Sequence, residues 1–233
     1  MCGRATLSTG PEDLAEIFNL DEVPLLTPHY NIAPSQGMAA VRALPGSTAR
    51  KLDLLRWGLV PWWADDLSIG NRFINARSET MLGSRAFGEA ARQRRCLVVV
   101  DGFYEWQKQG KKKQPFLIHR PDGKPFALAG LWDRWRPKGA PKDEPRLETC
   151  TVVTVAPSPL VARLHDRMPL ILPEDAWDAW LDPTVTEDSA IAPLLVRRES
   201  PLELYPVSEL VSSPANDDPR CVERIPEPTL FPL

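Results

Sequence analysis

Apolar positions along the chain fall in short, β-branched runs separated by polar or glycine-containing breaks. One run, from Arg95 to Trp106 with Leu97-Val98-Val99-Val100 at its centre, has the length and composition of a buried strand. Gln109-Gly110-Lys111-Lys112-Lys113 reads as a solvated turn, Phe116-Leu117-Ile118-His119 as a partner strand and Asp122-Gly123 as a second turn before Phe126 to Trp132. Together these predict an antiparallel meander. Thr149 to Val155 and Leu170-Ile171-Leu172 add two further strands. Helical spacing is rarer. Pro11 to Phe18 places proline in the first turn, acids near the positive end, and Leu14, Ile17 and Phe18 on one face. Leu160 to Leu164 predicts a short helix, and Pro173-Glu174-Asp175 opens another that carries Ala176, Trp177, Trp180 and Leu181.

Strands outnumber helices and connections are short. The class expected is α+β, a single domain with a largely antiparallel, barrel-like sheet core flanked by short helices. The 233 residues suit one domain, taken as a main unit at 1–210, the reach of the resemblance given below, and an acidic, proline-rich extension at 211–233 packed on it. From Glu199 onward the chain carries seven prolines and seven acids against two arginines, the composition of an extended strap. Residues 136–148 lack apolar periodicity and read as a mobile loop.

Composition narrows the function. A formal net charge of -3 argues against gripping long duplexes by bulk electrostatics, while leaving room for a local basic groove. The four cysteines and three histidines show neither metal-ligand spacing nor a disulfide framework, so reduced thiols in a cytoplasmic protein are the simplest reading. No apolar run approaches the roughly 20 residues of a membrane span, and no membrane partner is expected.

Several groups of residues could carry chemistry. Cys2 follows the initiator methionine, so loss of Met1 would give it an α-amine beside its thiol. Unperturbed, the two titrate near about 8 and 8.5, so both are partly nucleophilic at neutral pH. Phe73 to Glu79 begins with the alternation of an extended segment, placing Asn75, Arg77 and Glu79 on one side; a helix start capped by Ser78 explains it equally well. Glu105 ends a buried strand among aromatics, a setting that raises a carboxyl pKa, although a strand-end glutamate more often points into water. His165 lies between a short helix and a strand, where it could move a proton or serve structurally, and Arg167 beside it could bind an anion. Residues 72–95 hold six arginines against two glutamates, just after the pair Trp62 and Trp63, at least one of which should be exposed. Arginine beside flat aromatic faces suits single-stranded nucleic acid.

Met1-Cys2-Gly3-Arg4, Tyr30-Asn31-Ile32-Ala33-Pro34, Trp57 to Trp63, Asn75 to Thr80, Gly102 to Trp106 and His165 to Pro169, in that order, resemble the SOS response-associated peptidase (SRAP) family. The resemblance reaches to about residue 210. It implies a protein, by default a monomer, that shields abasic sites in single-stranded DNA during the DNA-damage response, by a covalent thiazolidine crosslink to the ring-opened deoxyribose. It further implies Cys2 as nucleophile, Glu105 and His165 as proton carriers and Asn75 as the residue that positions sugar oxygens. Arg4, Arg77 and Arg85 would grip phosphates, and Trp62 or Trp63 with Asn31 and Pro34 would form a wall for flanking bases. No metal or organic cofactor is implied. The peptidase in the family name has its clearest rationale in release of Met1.

Two other readings compete. Class II glutamine amidotransferases also open with Met-Cys-Gly, but they build an oxyanion hole from an Asn-Gly pair that this sequence lacks. A non-catalytic single-strand binding module would leave Glu105 and the placement of Cys2 unexplained.

Overall fold

A computed structural model of the chain describes residues 2–43, 49–110 and 112–226. In chain order its strands are β1 (Ala5–Leu7), β2 (His29–Ile32), β3 (Gly37–Ala43), β4 (Arg50–Trp57), β5 (Asn75–Arg77), β6 (Arg95–Val100), β7 (Gly102–Gln109), β8 (Lys112–His119), β9 (Phe126–Trp135), β10 (Leu147–Val155), β11 (Met168–Pro169), β12 (Ile171–Leu172) and β13 (Glu203–Pro206). The helices are short: α1 (Pro11–Phe18), α2 (Gly88–Gln93), α3 (Pro159–Ala162), α4 (Trp177–Leu181) and α5 (Asp188–Ile191). The α+β class expected from the sequence is the one observed.

Two sheets share the core. Strands β4, β3, β6, β9 and β10 pair antiparallel in that order, and a parallel register of β10 with β4, Thr149 opposite Arg56, closes them into a barrel. The short strand β5 adds to β10 in parallel, with Asn75 opposite Val152. The second sheet runs β13-β8-β7-β1-β2. Strand β6 is buried at every residue, which explains why it reads as a continuous apolar run with no alternation.

The single strand expected from Arg95 to Trp106 is in fact two, and the meander is divided between the sheets. β6 lies in the barrel, whereas β7 pairs with β1 and β8 in the other sheet. The break falls at Asp101, whose carboxylate accepts from the amides of Ser8 and Thr9 at 2.6 and 3.0 Å and from both hydroxyls. A buried run of valines carries no mark of this switch, because the cause is an ion-like anchor 92 residues away in sequence. Gly102 follows it, and a Cβ there would sit 2.8 Å from the carbonyl oxygen of Ile118.

Helix α1 forms as its sequence predicts, with Pro11 in the first turn and Asn19 in the left-handed region closing the C-terminus. Leu14 and Phe18 are buried, and Phe18 stacks on Trp177 of α4 at 4.7 Å between ring centroids. The strand predicted at 170–172 is interrupted: β11 pairs with β10, β12 with β9, and Leu170 lies between them. The acidic strap is pinned rather than loose. β13 pairs along β8, Tyr205 Oη donates to Val222 O at 2.8 Å, and Asp217 accepts from the Tyr30 and Asn31 amides. Among the described residues no helix is long and apolar enough to cross a membrane, and no cluster of three His, Cys, Asp or Glu side chains is placed to hold a metal ion.

Candidate active site

The register of β1 on β7 brings the start of the chain to Glu105. Ala5 lies opposite Phe103 and the Tyr104 amide donates to Arg4 O at 3.0 Å, which brings Cys2 close enough to Glu105 for the carboxylate charge to act on the thiol. Alternation along β7 then sorts the side chains. Phe103 joins the main core that also contains Cys2, whereas Tyr104 joins a smaller cluster under the C-terminal strap with Val207, Val211 and Cys221. Glu105 shares the Phe103 face and is 3% exposed. Burial pushes its carboxyl up to about 7.

Cys2 is buried beside it. Burial, reinforced by the Glu105 charge, holds the thiol well above its ordinary range. With Met1 in place the thiol is thus less acidic than the unperturbed cysteine expected from the sequence. Asn75, at the first position of β5, donates from Nδ2 to Cys2 O at 2.8 Å. Its Oδ1 is buried and accepts no hydrogen bond among the described residues, an open acceptor next to the cysteine backbone. The extended reading holds for Asn75 to Arg77, because β10 supplies a parallel partner and Trp57 Nε1 donates to Ile74 O at 2.9 Å, whereas Ser78 to Thr80 turn away and take Glu79 off that face.

His165 closes the other side. It follows α3, whose N-terminus is capped by Ser158, and its amide donates to Val161 O at 3.0 Å. Its Nδ1 lies 3.0 Å from the Arg167 amide, a donor, and 2.8 Å from Asp166 Oδ1, an acceptor, so neutral and protonated forms each find a partner. Burial lowers its pKa below the ordinary histidine value. Arg167 is not available to an external anion, because it forks onto Glu79 at 2.6 and 2.9 Å and reaches Thr154 O at 2.5 Å. That strut fastens the His165 loop to β10. Glu105 and His165 line one open groove of about 640 Å³.

The residues expected to hold DNA divide sharply. Trp62 is 60% exposed, with Nε1 on Glu89 at 3.1 Å, and the Arg85 guanidinium lies 4.4 Å over the Trp63 ring. Arg77 and Arg85 are exposed, and Pro34 is half-buried beside Ser35, a residue with φ 76°. Asn31 is a correction. It is fully buried, and its Nδ2 donates to the carbonyls of Val211, Ser213 and Asn216 at 3.2, 2.9 and 2.5 Å, so it clamps the strap and offers no wall to a base. Arg4 joins the same clamp, donating to Asn31 Oδ1 at 2.8 Å and Val211 O at 2.6 Å. The arginine-rich stretch is also less uniform than its charge suggests. Arg92 pairs with Asp188, Arg94 with Glu89, and the buried Arg95 donates to the carbonyls of Ala91, Trp180 and Asp182 where two helices end.

Sequence reasoning missed the far end of the groove. Lys108, Lys113 and Arg163 line it with Glu105 and His165, although Lys113 had been placed in a solvated turn; Lys111 of that turn lies outside the described residues. The hairpin register was the usable signal, because it sets Lys108 directly opposite Lys113.

Residues 1–214 match the model of the SOS response associated peptidase (SRAP) family. The chain belongs to the SRAP family. Among curated relatives of this SRAP chain, the abasic site processing protein YoqW of Bacillus subtilis (strain 168) is 39% identical, over 96% of this chain and 99% of that protein. The abasic site processing protein YedK of Escherichia coli (strain K12) is 32% identical over 97% of this chain and 100% of that protein. The abasic site processing protein HMCES of Gallus gallus is 37% identical, over 76% of this chain and 58% of that longer protein. The SRAP fold is also met in a crystal structure of a Bacteroides thetaiotaomicron protein, with a TM-score of 0.83 at 24% identity, covering 96% of this chain and 100% of that one.

Proposed function

We propose that this SRAP protein, once Met1 is removed, forms a covalent thiazolidine crosslink with the ring-opened deoxyribose of an abasic site in single-stranded DNA. The observation that carries the reading is the set of side chains brought to Cys2: Asn75 holds its carbonyl, Glu105 is close enough for its charge to act on the thiol, and His165 lines a groove with Glu105.

The chemistry follows from the protonation states. The α-amine of Cys2 adds to the sugar aldehyde and loses water to give an imine. The buried thiol is protonated, so it closes the ring only if its proton leaves as sulfur attacks the imine carbon. Glu105, with a carboxyl near 7, is ionised often enough to take that proton and protonated often enough to assist loss of water. The proton ends on the ring nitrogen, and the net change is aldehyde plus aminothiol giving thiazolidine and water. Asn75 Oδ1 offers an acceptor to a sugar hydroxyl, and His165 is a second proton carrier. Trp62 and the Arg85–Trp63 pair supply stacking and charge for the flanking strand.

A denaturing gel of the protein with an oligonucleotide bearing a natural abasic site tests this. A heat-stable shifted band is expected. Cys2→Ala, or a reduced abasic sugar lacking the aldehyde, should abolish it, and a band surviving in either case refutes the mechanism.

A further inference from the structure

The groove extends away from Glu105 and His165 between two walls. One wall is the β7–β8 hairpin, carrying Lys108 and Lys113; the other is the end of α3, carrying Arg163. All three cations are exposed, and none has a carboxylate partner among the described residues. The acids on the groove are Asp166, held 2.8 Å from His165 Nδ1, and Glu105, whose burial favours the neutral form. The cavity therefore carries net positive charge on a chain of net charge -3.

A second observation points the same way. Lys108 and Lys113 are direct cross-strand partners, and like charges in that position destabilise a sheet. Several arginines elsewhere in the fold are paired with acids: Arg42 with Glu148, Arg134 with Glu148, Arg198 with Asp175. A repulsive pair left uncompensated beside a reactive groove is the local conflict expected where a ligand supplies the missing charge.

We propose that Lys108, Lys113 and Arg163 form a phosphate-binding subsite that takes successive phosphodiesters, one to each cation, of the DNA strand entering the Glu105–His165 groove. This rests on the single-strand reading above and adds to it a path for the strand along the hairpin. Two flexible ammonium groups on one wall and a guanidinium fork on the other suit a backbone phosphate better than a base edge. Arg4, the nearest arginine to Cys2 in sequence, donates to Asn31 and the strap and does not line the groove, whose lining cations are these three residues.

The test measures binding without chemistry. A labelled single-stranded oligonucleotide carrying a tetrahydrofuran abasic analogue, which has no aldehyde, is titrated across about 50 to 300 mM salt. The triple variant Lys108→Gln/Lys113→Gln/Arg163→Gln should bind at least about tenfold more weakly at fixed salt. Its log Kd against log salt should be shallower by about 2, the effect of about three lost phosphate contacts on a single strand. A control that removes three exposed charges elsewhere, Lys124→Gln/Lys142→Gln/Arg146→Gln, should leave the slope unchanged. An unaltered slope in the first variant, an equal loss in the control, or no binding by the parent protein overturns the subsite. So does equal displacement of the oligonucleotide by poly-glutamate, which would assign the groove to an acidic protein, or by millimolar inorganic phosphate. Removing a repulsive pair should not lower the melting temperature; if the triple variant fails to fold, Lys113→Gln alone should still reduce the slope by about 0.7. Crosslinking to a natural abasic site is read separately, so loss of that activity in the parent leaves the binding result interpretable.

Discussion

Glu105→Gln should make the protein more stable while removing its activity, and the gain should depend on pH. Glu105 is 3% exposed, and burial raises its carboxyl from 4.5 to about 7. Between those two values the folded chain binds more protons at this position than the unfolded chain, so stability falls as pH rises through the window. At roughly 1.4 kcal/mol per pH unit the full loss is about 3 kcal/mol, reached above pH 7 and absent below 4.5. Glutamine keeps the shape and cannot ionise. Urea denaturation of parent and variant at half-unit steps from pH 4 to 8.5 should therefore show a stability difference that grows in favour of the variant across the window and then levels off. Any constant difference in packing shifts the whole curve without changing its shape. A flat difference, or one that grows in favour of the parent, refutes a buried carboxyl held near neutrality and removes the basis for its two-way proton transfer.

Asn31→Ala should remove one acceptor from Arg4, which keeps Val211 O, and one donor from each of three strap carbonyls, and lower stability by about 2 to 3 kcal/mol, read by chemical denaturation. At temperatures where the variant stays folded, its affinity for single-stranded oligonucleotide should match the parent, the opposite of what a base-stacking wall requires. Trp62→Ala should change stability by less than about 0.5 kcal/mol, because the ring is 60% exposed, yet weaken oligonucleotide binding by about 1 to 3 kcal/mol if a base stacks on it.

The parts of the fold legible in the sequence are those set by local pattern. Helix α1 announces itself through Pro11, its acids and its apolar face, and the β7–β8 hairpin through the polar residues between two apolar runs. The division of one apolar run into β6 and β7 was not legible. Valines buried on both faces look the same whichever sheet they join, and the switch depends on Asp101 finding Ser8 and Thr9. Barrel closure was equally hidden, since it rests on a parallel pairing between β4 and β10, strands about 95 residues apart in the chain.

The site was legible as a set of residue types and opaque as a set of partners. Cys2, Asn75, Glu105 and His165 stand out through the motifs around them, but Arg4 and Asn31 stand in motifs of the same family and prove to be fasteners. The difference lies in their partners, since Cys2 and Glu105 are buried as well. Asn31 lies on β2 next to β1, and the strap beyond residue 206 supplies three carbonyls to its amide, a placement no local pattern encodes. That placement gives the strap a part in the chemistry without touching it. Val211 O holds Arg4 two residues from Cys2, Asn31 ties the same carbonyl to β2, and Tyr104 donates to Tyr30 O at 2.6 Å from the strand that carries Glu105. Cys2 and Glu105 are thus tied through Arg4 and Tyr104 to the strap and β2, and loosening the strap should loosen both. If the proposed crosslink is right, a strap variant such as Asn31→Ala should slow it even where single-stranded binding is unchanged.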